Sequence, residues 1–200
     1  STLGREFEAE ARGEVNYVTR CTASDQCQEG TVNYVSLTSN NYKGVTMEGI
    51  DFDINYVMDT DNMGRFDMGV NAAKITKYIY QRFASDSVES NEGEMGLPDT
   101  RMTPYLTWGK GDWGVGLTGY HVSGQETDYF GTPYSVDDSM TFNLRVSYQL
   151  PWDASVSLGA INVTDEEPEQ NSDWYGWEPF DFSLYDTRGR TVYITYEQSL

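Results

Sequence analysis

The residues best suited to grip a small molecule lie between Asn162 and Arg188. This stretch holds Trp174, Tyr175, Trp177, Phe180, Phe182 and Tyr185, whose ring faces could stack on sugars or on a siderophore. The alternative is a loop that packs on itself and covers what lies beneath. The same stretch carries Asp165, Glu166, Glu167, Glu169, Asp173, Glu178, Asp181 and Asp186, and residues 81–101 add Asp86, Glu89, Glu92, Glu94 and Asp99. Clustered carboxylates could bind calcium, steer a cationic ligand, or bridge to lipopolysaccharide through divalent ions. Solvated loops account for them more simply, so no metal site and no cofactor is assigned.

Other motifs carry less. Cys21 and Cys27, in CTASDQC, suit a small disulfide-closed loop in an oxidising compartment, with free thiols as the alternative. Two cysteines and one distant histidine, His121, cannot fill a zinc site. Gly114, Gly116 and Gly119 spell GxGxxG, but inside a strand pattern, where the glycines cannot cradle a pyrophosphate. Asp59 to Gly64 begins like an EF-hand loop, yet Met63 sits at a ligand position and Val70 replaces the closing acid. There is no GxSxG nucleophile elbow, and no carboxylate pair stands out as catalytic. The chain reads as a non-enzyme.

Composition bounds the class. A net charge of −19 over 200 residues repels nucleic acid, which is excluded as a partner. Tyr 15 and Gly 19 favour strands and turns. The mean hydropathy of −0.59 argues against apolar spanning helices. It is neutral on a membrane β-barrel, where only alternate residues meet lipid.

The elements that must position these groups are strands. From Met140 to Leu150 apolar and polar residues alternate without an error, a period of two. The pattern recurs in six more segments: Ile50–Tyr56, Phe66–Ala73, Met102–Trp108, Trp113–Thr118, Ala154–Ala160 and Thr191–Glu197. Short connections at 58–64, 109–112 and 151–153 alternate with long ones at 81–101, 123–139 and 162–188. Short turns on one side and long loops on the other predict an all-β, antiparallel up-and-down meander, part of a transmembrane β-barrel. A soluble sandwich usually lacks that asymmetry.

Parity orients the chain. Residues 1–40 are expected as an extracellular loop, and 41–200 as seven strands with periplasmic turns and extracellular loops. The last strand runs inward. Seven is odd, whereas single-chain bacterial barrels close with even numbers, and open edges are not tolerated in lipid. STLGREFEAE has neither an initiator Met nor a signal peptide. The chain is therefore expected to be a fragment, with further strands supplied upstream. Trp108, Trp113, Trp152 and Tyr56 would form the periplasmic aromatic girdle. Lys74 and Lys77 would reach lipid phosphates or form an ordinary solvated rim.

Alternation also sorts the faces. Phe142, Leu144, Val146, Tyr148, Val192, Ile194 and Tyr196 are expected to face lipid. Asp51, Asp53, Asp67, Arg145 and Glu197 are expected to face a lumen, though a soluble sheet with one wet face would tolerate them too.

Four segments in this order resemble the C-terminal half of the barrel domain of TonB-dependent receptors. They are YKGVTMEGIDFDINY, with Gly49, Ile50 and Asp51; MGRFDMGVNAAKITKY; ASVSLGAINVTDEEP, with Asn162, Asp165 and Pro168; and LYDTRGRTVYITYEQSL, with Gly189 and Arg190. The terminal Leu200 departs from the aromatic end usual in outer-membrane barrels. The resemblance implies residence in the outer membrane of a Gram-negative bacterium and about 22 barrel strands in all. It implies partners: outer-membrane lipid, an N-terminal plug and further strands of the same protein, TonB acting through the absent N-terminus, and a small-molecule ligand. It implies import of a scarce nutrient, namely a siderophore, haem, cobalamin or oligosaccharide. The luminal acids would then line the plug interface. The alternatives are a secreted soluble β-sandwich that binds carbohydrate and a non-energised porin.

Overall fold

A computed structural model describes residues 18–23, 26–35, 44–81, 88, 90–129, 131–171 and 180–199. Every regular element among them is a strand: β1 (Val18–Arg20), β2 (Val32–Val35), β3 (Gly44–Thr60), β4 (Gly64–Gln81), β5 (Thr100–Lys110), β6 (Trp113–Val122), β7 (Gln125–Tyr129), β8 (Thr132–Val136), β9 (Ser139–Leu150), β10 (Ala154–Ile161) and β11 (Thr191–Gln198). The chain divides into two units, one of residues 1–45 and 80–88, the other of residues 46–79 and 89–200.

In the first unit β1 and β2 form an antiparallel pair within the stretch expected as a loop. A disulfide joins Cys21 to Cys27, with Cα atoms 6.0 Å apart. Thr31 donates from its hydroxyl to the Gln28 carbonyl, and its amide bonds the same oxygen, which closes the turn before β2.

The second unit is organised by one seven-stranded sheet in the order β11-β10-β9-β6-β5-β4-β3. The seven alternating segments are its seven strands, all antiparallel neighbours in a meander. The register keeps parity from strand to strand. Phe66 pairs with Trp108, Trp108 with Val115, Val115 with Val146, Val146 with Leu158, and Leu158 with Ile194. One face is therefore apolar across the sheet, because a one-residue slip anywhere would send polar groups into it.

That apolar face has no second layer over it among the described residues. Leu158 is 57% exposed and Ile194 75%, and Ile50, Phe52 and Ile54 are exposed as well. The buried polar residues Ser157, Gln125 and Asn162 lie elsewhere. An aqueous fold would hide the opposite set.

Turn chemistry fixes the short connections. Gly64 (φ +89°) starts β4 against the Gly109 carbonyl, where a Cβ would collide. Thr60 receives the Met63 amide on its hydroxyl and donates to the Gly64 carbonyl. The EF-hand-like run is thus an ordinary hairpin turn. Gly111 (φ +59°) and Asp153 (φ +55°) supply the other two turns. Aromatics cluster beside them. Trp108 donates to the Met63 carbonyl, Trp113 packs on Tyr148 with centroids 4.8 Å apart, and Trp152 donates to the Tyr196 hydroxyl.

One feature departs from expectation. The long connection 123–139 contains the hairpin β7–β8, turned by Gly131 (φ +79°) with its amide on Asp128. Lys74 and Lys77 pair with carboxylates, Asp99 at 3.5 Å and Glu48 at 2.9 Å, as residues of a solvated rim can. Burial raises the Asp99 carboxyl, but hydrogen bonds from Ser123 and Thr100 and the Lys74 charge outweigh it, and its pKa ends below the ordinary value.

Candidate functional site

The polar face carries paired groups along its whole width. Asp67 accepts from Asn55 at 2.7 Å. Arg145 donates to Ser157 at 2.8 Å. Asp51 and Asp53 line an open groove of 420 Å³ with Asn71, Arg101 and Thr103. Glu197 lies opposite Ser155 on the same face. Asp51, Asp53, Asp67, Arg145 and Glu197 therefore share one side of the sheet, and Phe142, Leu144, Val146, Tyr148, Val192, Ile194 and Tyr196 share the other.

Glycines on the polar face make room for tyrosine rings from the neighbouring strand. Tyr105 lies over Gly69, where a Cβ would sit 2.8 Å from the ring, and its hydroxyl accepts from Asn55. Tyr193 lies over Gly159 so closely that a Cβ would sit 2.2 Å from the ring. Each ring covers backbone that its partner glycine leaves bare, a pairing known to pin register.

At the long-loop end of this face the connection after β10 folds back over the sheet. It is tied at its base by the residues of the Asn-x-x-Asp-x-x-Pro pattern. Asn162 (φ +50°) is buried, and its carboxamide both donates to the Glu166 carbonyl and accepts the Glu166 amide. Its own amide donates to Asn143 on β9. Asp165 (φ +61°) accepts the Arg190 amide at 2.7 Å and the Arg190 guanidinium at 3.3 Å. The start of the loop is thereby fastened to the start of β11.

Beneath the loop is a cavity of 360 Å³. Its floor is the polar face: Tyr120 and Val122 of β6, Ser139, Thr141 and Asn143 of β9, and Ile161 of β10. Its roof is Asn162, Glu166, Pro168 and residues 184–186, 188 and 189. Asp186 and Arg188 close one side as a forked pair, with contacts of 3.0 and 2.7 Å. Hydrogen bonds from Arg188 hold the Asp186 carboxyl down to about 2, and the same pair raises the guanidinium. The hydroxyls of Tyr120, Ser139 and Thr141 have no hydrogen-bond partner among the described residues.

The roof is held by a buried hub. Gln125, 2% exposed at the start of β7, donates to the Tyr185 hydroxyl at 3.0 Å and accepts the Gly96 amide at 2.6 Å. Three long connections meet at this one carboxamide. Burial pushes the Tyr185 phenol up, against the opposing effect of the Gln125 bond.

Of the aromatics singled out in the sequence, three are among the described residues, and of these Tyr185 alone lines this cavity. Phe180 and Phe182 pack on each other at a tilt of 54° with centroids 4.7 Å apart, and Phe182 is exposed. Trp174, Tyr175 and Trp177 lie outside the described residues. The acids have separate local tasks. Asp181 accepts from Ser183, Glu169 from the Asp137 amide, Glu94 from Asn91 and Glu92 from the Tyr78 amide. Among the described residues no three His, Cys, Asp or Glu side chains gather as a metal cluster. Sequence reasoning passed over Tyr120, Ser139, Thr141 and Gln125. The first three were legible as polar-face positions at the loop end of β6 and β9; Gln125 had no signal.

The family model described as TonB dependent receptor-like, beta-barrel matches residues 8–163, a span that runs from before β1 to past the end of β10. No curated protein and no solved structure matches the chain significantly.

Proposed function

The chain belongs to the TonB dependent receptor-like β-barrel family, and from that premise we propose that it forms part of an outer-membrane receptor that imports a scarce nutrient with energy delivered through TonB. Family membership makes it a segment of a transmembrane β-barrel with a receptor role in the outer membrane. The finer reading assigns the apolar face to lipid and the polar face to the lumen, where Asp51, Asp53, Asp67, Arg145 and Glu197 would meet a plug and water. The ligand would be a siderophore, haem, cobalamin or oligosaccharide, taken at the loop end.

The carrying observation is the uncovered apolar face. Leu158, Val192 and Ile194 stand exposed while Ser157 is buried. In water each exposed aliphatic side chain forfeits roughly 1.5–3 kcal/mol of burial, whereas hydrocarbon would receive these side chains without that penalty. A carbohydrate-binding sandwich would need a second sheet over this face, which the described residues do not supply. The free edges of β3 and β11 would pair with further barrel strands.

Spin labels test the assignment in the receptor reconstituted into lipid vesicles. Labels at Leu158 and Ile194 should collide with dissolved oxygen, and labels at Ser155 and Thr195 with an aqueous nickel complex. The reverse pattern would overturn the lipid assignment. Energised import is tested in cells: ligand uptake should stop when the proton gradient is collapsed, and uptake that persists points to a passive porin.

A further inference from the structure

We infer that the cavity between the polar face and the 162–190 connection binds an uncharged carbohydrate of one or two sugar rings; this rests on the receptor reading above and names its substrate class. The inference starts from charge. Among the described residues the one cation in the cavity wall is Arg188, and Asp186 pairs with it in a fork. Asp186 stays ionised throughout the physiological range, so its charge offsets that of Arg188 beside the cavity. Glu166 then leaves the cavity with an excess negative charge. An anionic ligand, such as a ferric catecholate or a porphyrin bearing propionates, would find no free counter-charge here, and the chain as a whole repels it at −19.

The remaining chemistry fits a polyol. Tyr120, Ser139 and Thr141 offer hydroxyls that are free to donate or accept, as sugar hydroxyls do. Val122, Ile161, Pro168 and Leu184 provide apolar wall for the C–H face of a pyranose. The Tyr120 ring is 47% exposed and open to stacking. A volume of 360 Å³ lies near the small end of the roughly 300–1,000 Å³ range of small-molecule sites. A large macrocycle does not fit there, but one or two sugar rings do.

Equilibrium binding to the intact receptor, purified in detergent from outer membranes, tests the assignment. The probes are the neutral disaccharides maltose, cellobiose and xylobiose, a uronic-acid disaccharide of matching size, and a ferric catecholate. At least one neutral disaccharide should bind, and the charged probes should bind at least tenfold more weakly. Thr141→Val keeps side-chain shape and removes one hydroxyl; it should weaken the sugar about tenfold, and Tyr120→Phe should weaken it likewise. Thr195→Val, on the same face away from the cavity, should leave binding unchanged. Tighter binding of the catecholate or the uronate, no response to any sugar, or sugar binding indifferent to both hydroxyl deletions overturns the carbohydrate assignment. If the receptor fractionates with outer membranes under any of those outcomes, the receptor reading survives. A chain that purifies from the aqueous fraction overturns both.

Discussion

The Gln125 side chain reaches the Tyr185 hydroxyl at 3.0 Å across 60 residues of sequence, and both groups are buried. Because the other end of the same carboxamide holds the Gly96 amide, three connections between strands share one polar contact. A satisfied buried network of this kind adds rigidity, and removing one member leaves the others desolvated and unpaired.

Tyr185→Phe should therefore loosen the loops well beyond position 185. The Gln125 donor would lose its partner at a cost of about 1–3 kcal/mol. Amide exchange at Gly96 should accelerate about tenfold or more, while exchange in β9 and β10 stays slow. The clasp should also respond to alkali. The folded phenol titrates above its ordinary 10.0 because burial disfavours the phenolate. Below about pH 10 the phenol is neutral whether the loop is folded or not. As pH rises from there through the folded value, burial of the phenolate outweighs the Gln125 bond, and the stability of the folded loop should fall. Gly96 protection that is flat with pH in this range, after correction for intrinsic exchange, would count against the clasp.

Arginine substitutions should separate the faces by energy. Leu158→Arg places a guanidinium on the apolar side of β10, and in a bilayer it should cost about 2–4 kcal/mol if the position lies near the midplane. Thr195→Arg, on the polar side of the neighbouring strand, should cost much less. Urea unfolding of the receptor in vesicles reads both, and equal costs would contradict the two-sided sheet.

Gly159→Ala should strain the wall where the Tyr193 ring crosses β10, since the new Cβ would sit 2.2 Å from that ring. A destabilisation of about 1–3 kcal/mol is expected. Tyr193→Ala in the same molecule should remove most of the clash, giving a strong non-additive coupling in a double-mutant cycle. Additive effects would mean that the ring moves aside without cost.

The meander was legible because its physics repeats at every second residue. From Phe142 to Leu150 each apolar side chain falls on one face, and each of the seven alternating segments became a strand of the same sheet. The ends of β3 and β4 were not legible. These strands extend to Thr60 and Gln81, beyond the segments in which apolar and polar residues alternate strictly. The hairpin β7–β8 was hidden for a related reason. QETDY and TPYSV carry polar residues on both faces and a proline, so periodicity is silent, and their pairing rests on Gly131 and backbone bonds. Composition offered six rings in the covering loop and no means of choosing Tyr185, which lines the cavity, over Phe180 and Phe182, which do not. Which aromatic turns inward depends on Gln125, a residue with no pattern around it. The hydroxyl floor became meaningful only once the loop was laid over β6 and β9.

The bond from Asp165 to the Arg190 amide carries an evolutionary implication. It draws the two ends of a long excursion together, so the wall on either side is held whatever lies between. Such a noose is an interchangeable cassette. Its contents can be rewritten, lengthened or swapped for another specificity while the neighbouring hairpins keep their alignment, provided the knot at its neck is retained.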